Sequence, residues 1–234
     1  MKIKKLSVVI PVYNERNTIE IILERLQKAD FGGAEKEIII VDDGSKDGTR
    51  EILKKYETIH KIIYHPINIG KGAAVRNGFE QATGDYVIVQ DADLEYDPAD
   101  IKLLIEEAEK KDAAVVYGSR RLGNMSKKNP MAGWHYYMGG VTLSVLTNLL
   151  YWTKITDEAT GYKMIRRDIL EKLNLKSTGF EFCPELTAKI AKRGFKIYEV
   201  PITYKPRTVK EGKKIKFKDA IIAVWVLIKH RFVG

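Results

Sequence analysis

The chain has 234 residues, 44% of them hydrophobic and 30% charged, with a formal net charge of +9. That length suffices for one large α/β domain, and the basic balance points to anionic partners: nucleotide, lipid phosphate, a membrane surface or nucleic acid. The single cysteine, Cys183, excludes an internal disulfide and fits a reducing, cytoplasmic compartment.

Lys2, Lys4 and Lys5 run directly into an apolar strand at residues 6–12, with no secretory signal pattern. Asn14 or Asn17 is placed to cap a helix whose apolar face is Ile19, Ile22, Leu23 and Leu26. A second buried strand at 37–41 runs into Asp42, Asp43, Gly44 and Ser45. A helix from Thr49 turns Ile52, Leu53 and Tyr56 inward, and a short strand follows at 62–64. Asn68-Ile69-Gly70-Lys71-Gly72 reads as a loop opening a helix that runs to about residue 82, with Lys71 solvated at its start. Residues 86–95 are the segment around which the rest is organised. Val87, Ile88 and Val89 form the β-branched run of a central parallel strand. Asp91, Asp93 and Glu95 follow at every second position, and in an extended chain such side chains point the same way. Three carboxylates are therefore expected to converge at a strand's C-terminal end, where open α/β sheets place ligands. Like charges so close call for a cation, and oxygen-only ligands suit Mg²⁺ or Mn²⁺.

Asp97-Pro98 starts a further helix with Ile101, Leu104, Ile105 and Ala108 on one face, and residues 113–118 form another buried strand. This alternation predicts a parallel, doubly wound α/β unit over the first ~120 residues. Residues 120–137 are polar and aromatic without a period, as in a long functional loop. An apolar helix is expected at 141–152, a strand at 161–165, a helix at 182–193 and a strand at 197–204. Residues 205–218 are strongly basic, and the apolar run 220–228 is flanked by Lys218, Lys229, His230 and Arg231. That run is too short to cross a bilayer, which needs ~20 apolar residues. The expected organisation is one domain over 1–204, with 205–234 a basic segment and amphipathic helix packed on it or extending from it.

Several α/β chemistries are excluded. The first strand meets Pro11-Val12-Tyr13-Asn14-Glu15 rather than a G-x-G-x-x-G turn, and no Walker A loop, zinc pattern or G-x-S-x-G elbow is present. A nucleic-acid module would need a recognised motif or interleaved aromatics, and neither occurs, so no nucleic-acid partner is expected. What remains is Glu15, Asp42, Asp43, Asp91 and Asp93 at strand ends. Here the sequence resembles the GT-A glycosyltransferases of family 2. The resemblance is carried by Val9-Ile10-Pro11-Val12-Tyr13-Asn14-Glu15, Val41-Asp42-Asp43-Gly44-Ser45-Lys46-Asp47-Gly48-Thr49, Asn68-Ile69-Gly70-Lys71-Gly72 and Asp91-Ala92-Asp93, in that order. Further matches are Gly118-Ser119-Arg120, Asp157 with Thr160-Gly161-Tyr162, and Glu199-Val200-Pro201-Ile202 leading to Arg207. Together these look most like the polyprenyl-phosphate glycosyltransferases, the dolichyl-phosphate mannose synthases among them.

The resemblance implies a GT-A fold with a mainly parallel sheet flanked by helices. It also implies an inverting, metal-dependent transfer of a hexose from GDP-mannose or UDP-glucose to a polyprenyl phosphate at a cytoplasmic membrane face. Pro11, Tyr13 and Glu15 would line the nucleoside pocket, and Val41 and Asp43 would hold base and ribose. Asp91 and the Ala92 backbone would contact the nucleotide. Asp93 would bind the metal that bridges the diphosphate, with Glu95 and Asp91 as further candidate ligands. Arg120, Arg207 and Lys213, or its neighbour Lys214, would grip phosphates. A hydroxyl acceptor on a glycan or lipid is the alternative, with Asp157 as base. Trp134, His135, Tyr136 and Tyr137 stand where the family pattern has more arginine.

Overall fold

The computed structural model describes residues 2–127, 134–207, 214 and 217–233, with the side chains of 126, 127, 134–136 and 217 left out. Lys213 therefore lies outside the described residues, as do the side chains of Trp134, His135 and Tyr136. β1 (Lys5–Val12), β2 (Glu35–Asp42) and β4 (Tyr86–Val89) carry the apolar runs, and strand alternation decides which helix each side chain meets. Val8 and Ile10 turn to one face. There they join Ile19, Ile22, Leu23 and Leu26 of α1 (Ile19–Lys28), Leu53 of α2 (Thr49–Leu53) and Ile101, Leu104 and Ile105 of α4 (Ile101–Lys111). Val9 turns to the other face, with Val75 of α3 (Lys71–Glu80) and Phe182, Leu186 and Ile190 of α8 (Phe182–Lys192). The predicted helical stripes and buried strands are thus the two sides of one α/β sandwich.

β3 (Lys61–Tyr64), β5 (Val115–Ser119), β6 (Lys163–Arg166) and β7 (Tyr198–Pro201) complete a seven-stranded sheet among the described residues, in the order β3-β2-β1-β4-β6-β5-β7. The sheet is mostly parallel, but β6 runs antiparallel to both β4 and β5. The strands of the first ~120 residues, β1 to β5, all run the same way as expected, and β6 enters from later in the chain between β4 and β5, which the sequence places in succession. An antiparallel strand between two others leaves those two running the same way. The ends of β1, β2, β4, β5 and β7 and the start of β6 therefore share one edge of the sheet.

Three local expectations are corrected. Neither Asn14 nor Asn17 caps α1; Thr18 holds the N-cap position, and the Glu15 carbonyl accepts from the Thr18 and Ile19 amides. Residues 120–127 and 134–137 are helical and not part of a loop: α5 (Arg120–Lys127) begins directly after β5, and α6 (Trp134–Tyr151) starts seven residues earlier than the apolar pattern indicates. α5 offers Leu122 and Met125 as its large apolar residues, and the aromatic residues at 134–137 run consecutively, so neither stretch shows a helical period to read. At its other end, β4 stops at Val89, and Leu94 has a φ of 63°, so Asp91 to Glu95 do not continue as a strand.

α9 (Phe217–Phe232) packs Ala223 and Leu227 against Leu143 and Tyr151 of α6 and Ala188 of α8, and Tyr151 Oη donates to the Leu227 carbonyl at 2.7 Å. Among the described residues no helix is long and apolar enough to cross a membrane.

Candidate functional site

The shared sheet edge gathers most of the residues singled out by sequence. Pro11 and Val41 are paired neighbours where β1 and β2 end. Val41 and Ala92 are buried, while Pro11 and Tyr13 remain partly open. Asn14, in the left-handed region at φ 52°, accepts from the Lys46 amide at 2.9 Å, and its own amide donates to Ser45 Oγ at 2.9 Å. This ties the loop after β1 to the loop after β2.

The turn after Val89 sends the acids in two directions. Asp91 meets the Lys71 ammonium at 2.5 Å, at the start of α3. Lys71, expected to be solvated, is paired instead with an acid at the end of β4, and only the fold brings the two together. Asp93 Oδ1 accepts from the Glu95 amide at 3.1 Å, closing the turn, and Asp93 Oδ2 meets Arg207 Nη2 at 3.0 Å. Arg207 also reaches Glu15 through Nη1 at 3.2 Å and Nη2 at 3.3 Å. Its Nε is buried and donates to none of the described residues. Lys214 joins the same carboxylate at 2.8 Å and donates to the Tyr13 carbonyl at 2.5 Å. Glu95 holds the arm that carries Arg207: it accepts from the Arg207 amide at 2.7 Å and from Tyr204 Oη at 2.9 Å. Burial, then the neighbouring Asp91 and Glu95 charges, push the Asp93 carboxyl up to about 7 against the pull of Arg207. Glu15, Arg16, Asp47, Asp93, Arg207 and Lys214 line a cleft of about 500 Å³.

The second half of the site hangs on Arg120, the first residue of α5. Its Nε and Nη2 each lie 2.7 Å from an oxygen of Asp157, and its backbone amide donates to the same carboxylate at 3.0 Å. Glu199 on β7 supports this pair by accepting from the Thr156 and Asp157 amides at 2.7 and 3.1 Å. Burial alone would raise the Asp157 carboxyl, but the Arg120 guanidinium outweighs it and holds the group below its ordinary value. The Arg120 guanidinium also sits over the Tyr204 ring, 5.0 Å from its centroid. Tyr204, which sequence reasoning missed, is thus the joint between the Arg120–Asp157 pair and the Glu95–Arg207 arm.

Asp43 is buried among the His65 ring and the Ile69 and Gly70 amides. Asp42 is buried and held by Arg50 at 2.6 Å. Cys183 is a free thiol that burial pushes up, as befits a packing residue.

The donors at the edge are oxygens of buried or half-buried carboxylates, the set that a hard cation prefers. Among the described residues no three acidic, histidine or cysteine side chains lie close enough to hold an ion together. Asp93 nonetheless fits such a role. It carries more negative surroundings than Arg207 offsets, and a cation there would meet one protein carboxylate with room for ligands from a bound anion.

Residues 7–174 match the profile described as glycosyl transferase family 2. A dolichol-phosphate mannosyltransferase of Pyrococcus furiosus is 33% identical over 217 residues, covering 89% of this chain and 59% of its own length. This chain therefore spans less than two thirds of that relative. A dolichyl-phosphate β-glucosyltransferase of Trichomonas vaginalis is 30% identical over 239 residues, covering 96% of this chain and 72% of its own. The crystal structure of glucosyl-3-phosphoglycerate synthase from Mycobacterium tuberculosis with Mn²⁺, UDP and glucosyl-3-phosphoglycerate aligns with a TM-score of 0.70. It is 18% identical and covers 99% of this chain and 81% of that one, a likeness of fold. With its mostly parallel sheet and the acids at the sheet's edge, the chain has the GT-A fold and belongs to glycosyl transferase family 2.

Proposed function

We infer that the protein is an inverting, metal-dependent hexosyltransferase that moves a sugar from GDP-mannose or UDP-glucose to a polyprenyl phosphate. The relatives from Pyrococcus furiosus and Trichomonas vaginalis differ in the sugar they are named for and share the dolichyl-phosphate acceptor. The observation that favours a phosphate acceptor in this chain is the Asp157–Arg120 pair. A hydroxyl acceptor needs a general base, and Asp157 is committed to both arms of a guanidinium and held below its ordinary pKa. A phosphate monoester, with a second pKa of about 6, is already ionised near neutral pH and needs no strong base. Its oxygen attacks the anomeric carbon as the nucleoside diphosphate leaves, with inversion and no covalent sugar–protein intermediate.

The chain's own groups then divide the work. Pro11, Tyr13, Glu15, Val41 and Asp43 shape the nucleoside side, with Asp91 and the Ala92 backbone beside it. Arg207 and Lys214 leave Glu15 and Asp93 for diphosphate oxygens, and the Nε of Arg207, which meets none of the described residues, gains a partner. Arg120 steadies Asp157 at the acceptor side. Asp93 would hold Mg²⁺ or Mn²⁺, whose charge would act as a Lewis acid on the departing diphosphate. The neighbouring Mycobacterium tuberculosis structure contains Mn²⁺ together with UDP.

The test is a donor screen with the purified full chain, Mn²⁺ or Mg²⁺, a panel of nucleotide sugars and a short polyprenyl phosphate. The expected result is a lipid-linked hexose from one donor, abolished by EDTA. Transfer to sugar or lipid hydroxyls with none to the phosphate would overturn the acceptor assignment.

Among the described residues no helix is long and apolar enough to cross a bilayer, and we propose that α6 and α9 meet its surface. Val145, Leu149 and Trp152, at and just beyond α6, and Ile221, Trp225 and Phe232 of α9 are exposed although the two helices pack together. Lys218, Lys229 and Arg231 flank them, and Arg231 sits 4.7 Å over the Trp152 ring. Apolar helices with aromatic and basic residues suit the headgroup interface, and each basic residue near an anionic surface contributes ~1 kcal/mol that salt screens. The protein is therefore expected to float with anionic vesicles at low salt and less so at high salt. Ile221→Glu with Trp225→Glu, both on the exposed side of α9, should leave it with the soluble fraction. Equal flotation of that double variant would remove α9 from the membrane contact.

A further inference from the structure

His65 lies just after β3 and is 5% exposed. Its Nδ1 is 2.7 Å from Asp43 Oδ1, and its Nε2 is 2.8 Å from Asn77 Nδ2 on α3. Asp43 also accepts from the Ile69 and Gly70 amides at 3.0 and 2.9 Å. A carboxylate that receives two backbone amides acts as an acceptor, so the ring nitrogen facing it donates. Nε2 is then left to accept from the Asn77 amide, so each ring nitrogen has its own partner. The loop held in this way has little slack. A Cβ on Gly44 would lie 2.5 Å from the Ile67 carbonyl carbon, and one on Gly70 would lie 2.3 Å from the Thr178 oxygen. Gly70 is the N-cap of α3, and the next residue is Lys71, whose ammonium meets Asp91 at 2.5 Å.

We propose that His65 is a positioning residue of the donor site. It holds Asp43 in the orientation that binds the Ile69 and Gly70 amides, and so sets Lys71 against Asp91 at the end of β4. The chain of contact runs from Asn77 through His65, Asp43 and the 69–70 amides to Lys71. Every link is a hydrogen bond or ion pair of 3.0 Å or less, apart from the covalent step from Gly70 to Lys71. None of the motifs that carry the family resemblance includes His65. The consequence for sugar transfer rests on the glycosyltransferase reading; the ordering of the loop does not.

Two substitutions separate a hydrogen-bonding role from mere filling of space. In His65→Asn the side-chain amide nitrogen takes the place of Nδ1 and can still donate to Asp43. His65→Leu fills similar volume and donates nothing. Backbone amide exchange is read at Ile69 and Gly70 in the full chain, alongside Michaelis constants for nucleotide sugar and for acceptor. His65→Leu is expected to speed exchange at those amides about tenfold, the effect of losing one hydrogen bond to a charged group. It should raise the donor KM by a similar factor while the acceptor KM holds, and His65→Asn should restore both readouts most of the way. The proposal is overturned if His65→Leu exchanges like wild type, or if His65→Asn behaves no better than His65→Leu. The exchange measurement needs no donor. It decides the positioning role even if the wild-type chain transfers no sugar, an outcome that would count against the glycosyltransferase reading alone.

Discussion

Asp93→Asn is expected to lower sugar transfer by roughly two to three orders of magnitude, the usual cost of removing a group that stabilises developing charge. The residue sits in the turn after β4, outside the buried strand, with a side chain 17% exposed that packs no apolar core. Burial and the Asp91 and Glu95 charges already disfavour its ionised form, so a neutral amide of the same shape relieves repulsion. The thermal midpoint should therefore stay close to wild type while turnover collapses. Glu95→Gln should be milder, at most about tenfold, because Glu95 tethers the arm through Tyr204 and the Arg207 amide, and an amide oxygen can keep one of those bonds. Assays of both variants with and without excess EDTA decide the matter. Near-normal turnover by Asp93→Asn, or full wild-type activity in EDTA, removes the metal role from Asp93.

Much of this geometry was legible in the sequence, and the parts that were not have physical reasons. Ile19, Ile22, Leu23 and Leu26, and again Ile101, Leu104, Ile105 and Ala108, lie on helical faces because one stripe of each helix must be buried. Strand ends carry the acids because ligands of open α/β sheets bind there. Periodicity says nothing of strand direction, however, so β6 could be expected as a strand but not as an antiparallel one. α5 contains two large apolar residues, Leu122 and Met125, too few to mark a helical face in the sequence. The alternation of Asp91, Asp93 and Glu95 implied three aligned carboxylates only while the chain stayed extended, and the left-handed Leu94 ends that. What separates Asp91 from Asp93 is the choice of counter-charge, Lys71 for one and Arg207 for the other. Both partners are distant in sequence from the acids they meet, and no local pattern encodes them.

Arg207→Lys should lose about ten- to a hundredfold in kcat/KM, equivalent to roughly 1.4–2.7 kcal/mol of transition-state stabilisation, and Arg207→Ala should lose more. The guanidinium bridges Glu15 and Asp93 at once and presents a third donor, Nε, that meets none of the described residues. A lysine ammonium is a single point: it can stand near one carboxylate or one phosphate oxygen, but it cannot span two groups in a plane. Charge alone is therefore not enough, and the conservative substitution should fail in proportion to the geometry lost. The arm itself should survive in both variants. Glu95 holds it through the backbone amide of residue 207 and through Tyr204, and Lys214 remains 2.8 Å from Glu15. Loss of activity without loss of the arm would show as a raised KM for the nucleotide sugar and an unchanged unfolding midpoint. An Arg207→Ala protein that turns over like wild type would instead leave Arg207 as a counter-ion to Glu15 and Asp93 and nothing more. The phosphate-gripping role would then pass to Lys214, which lines the same cleft and meets the same Glu15 carboxylate.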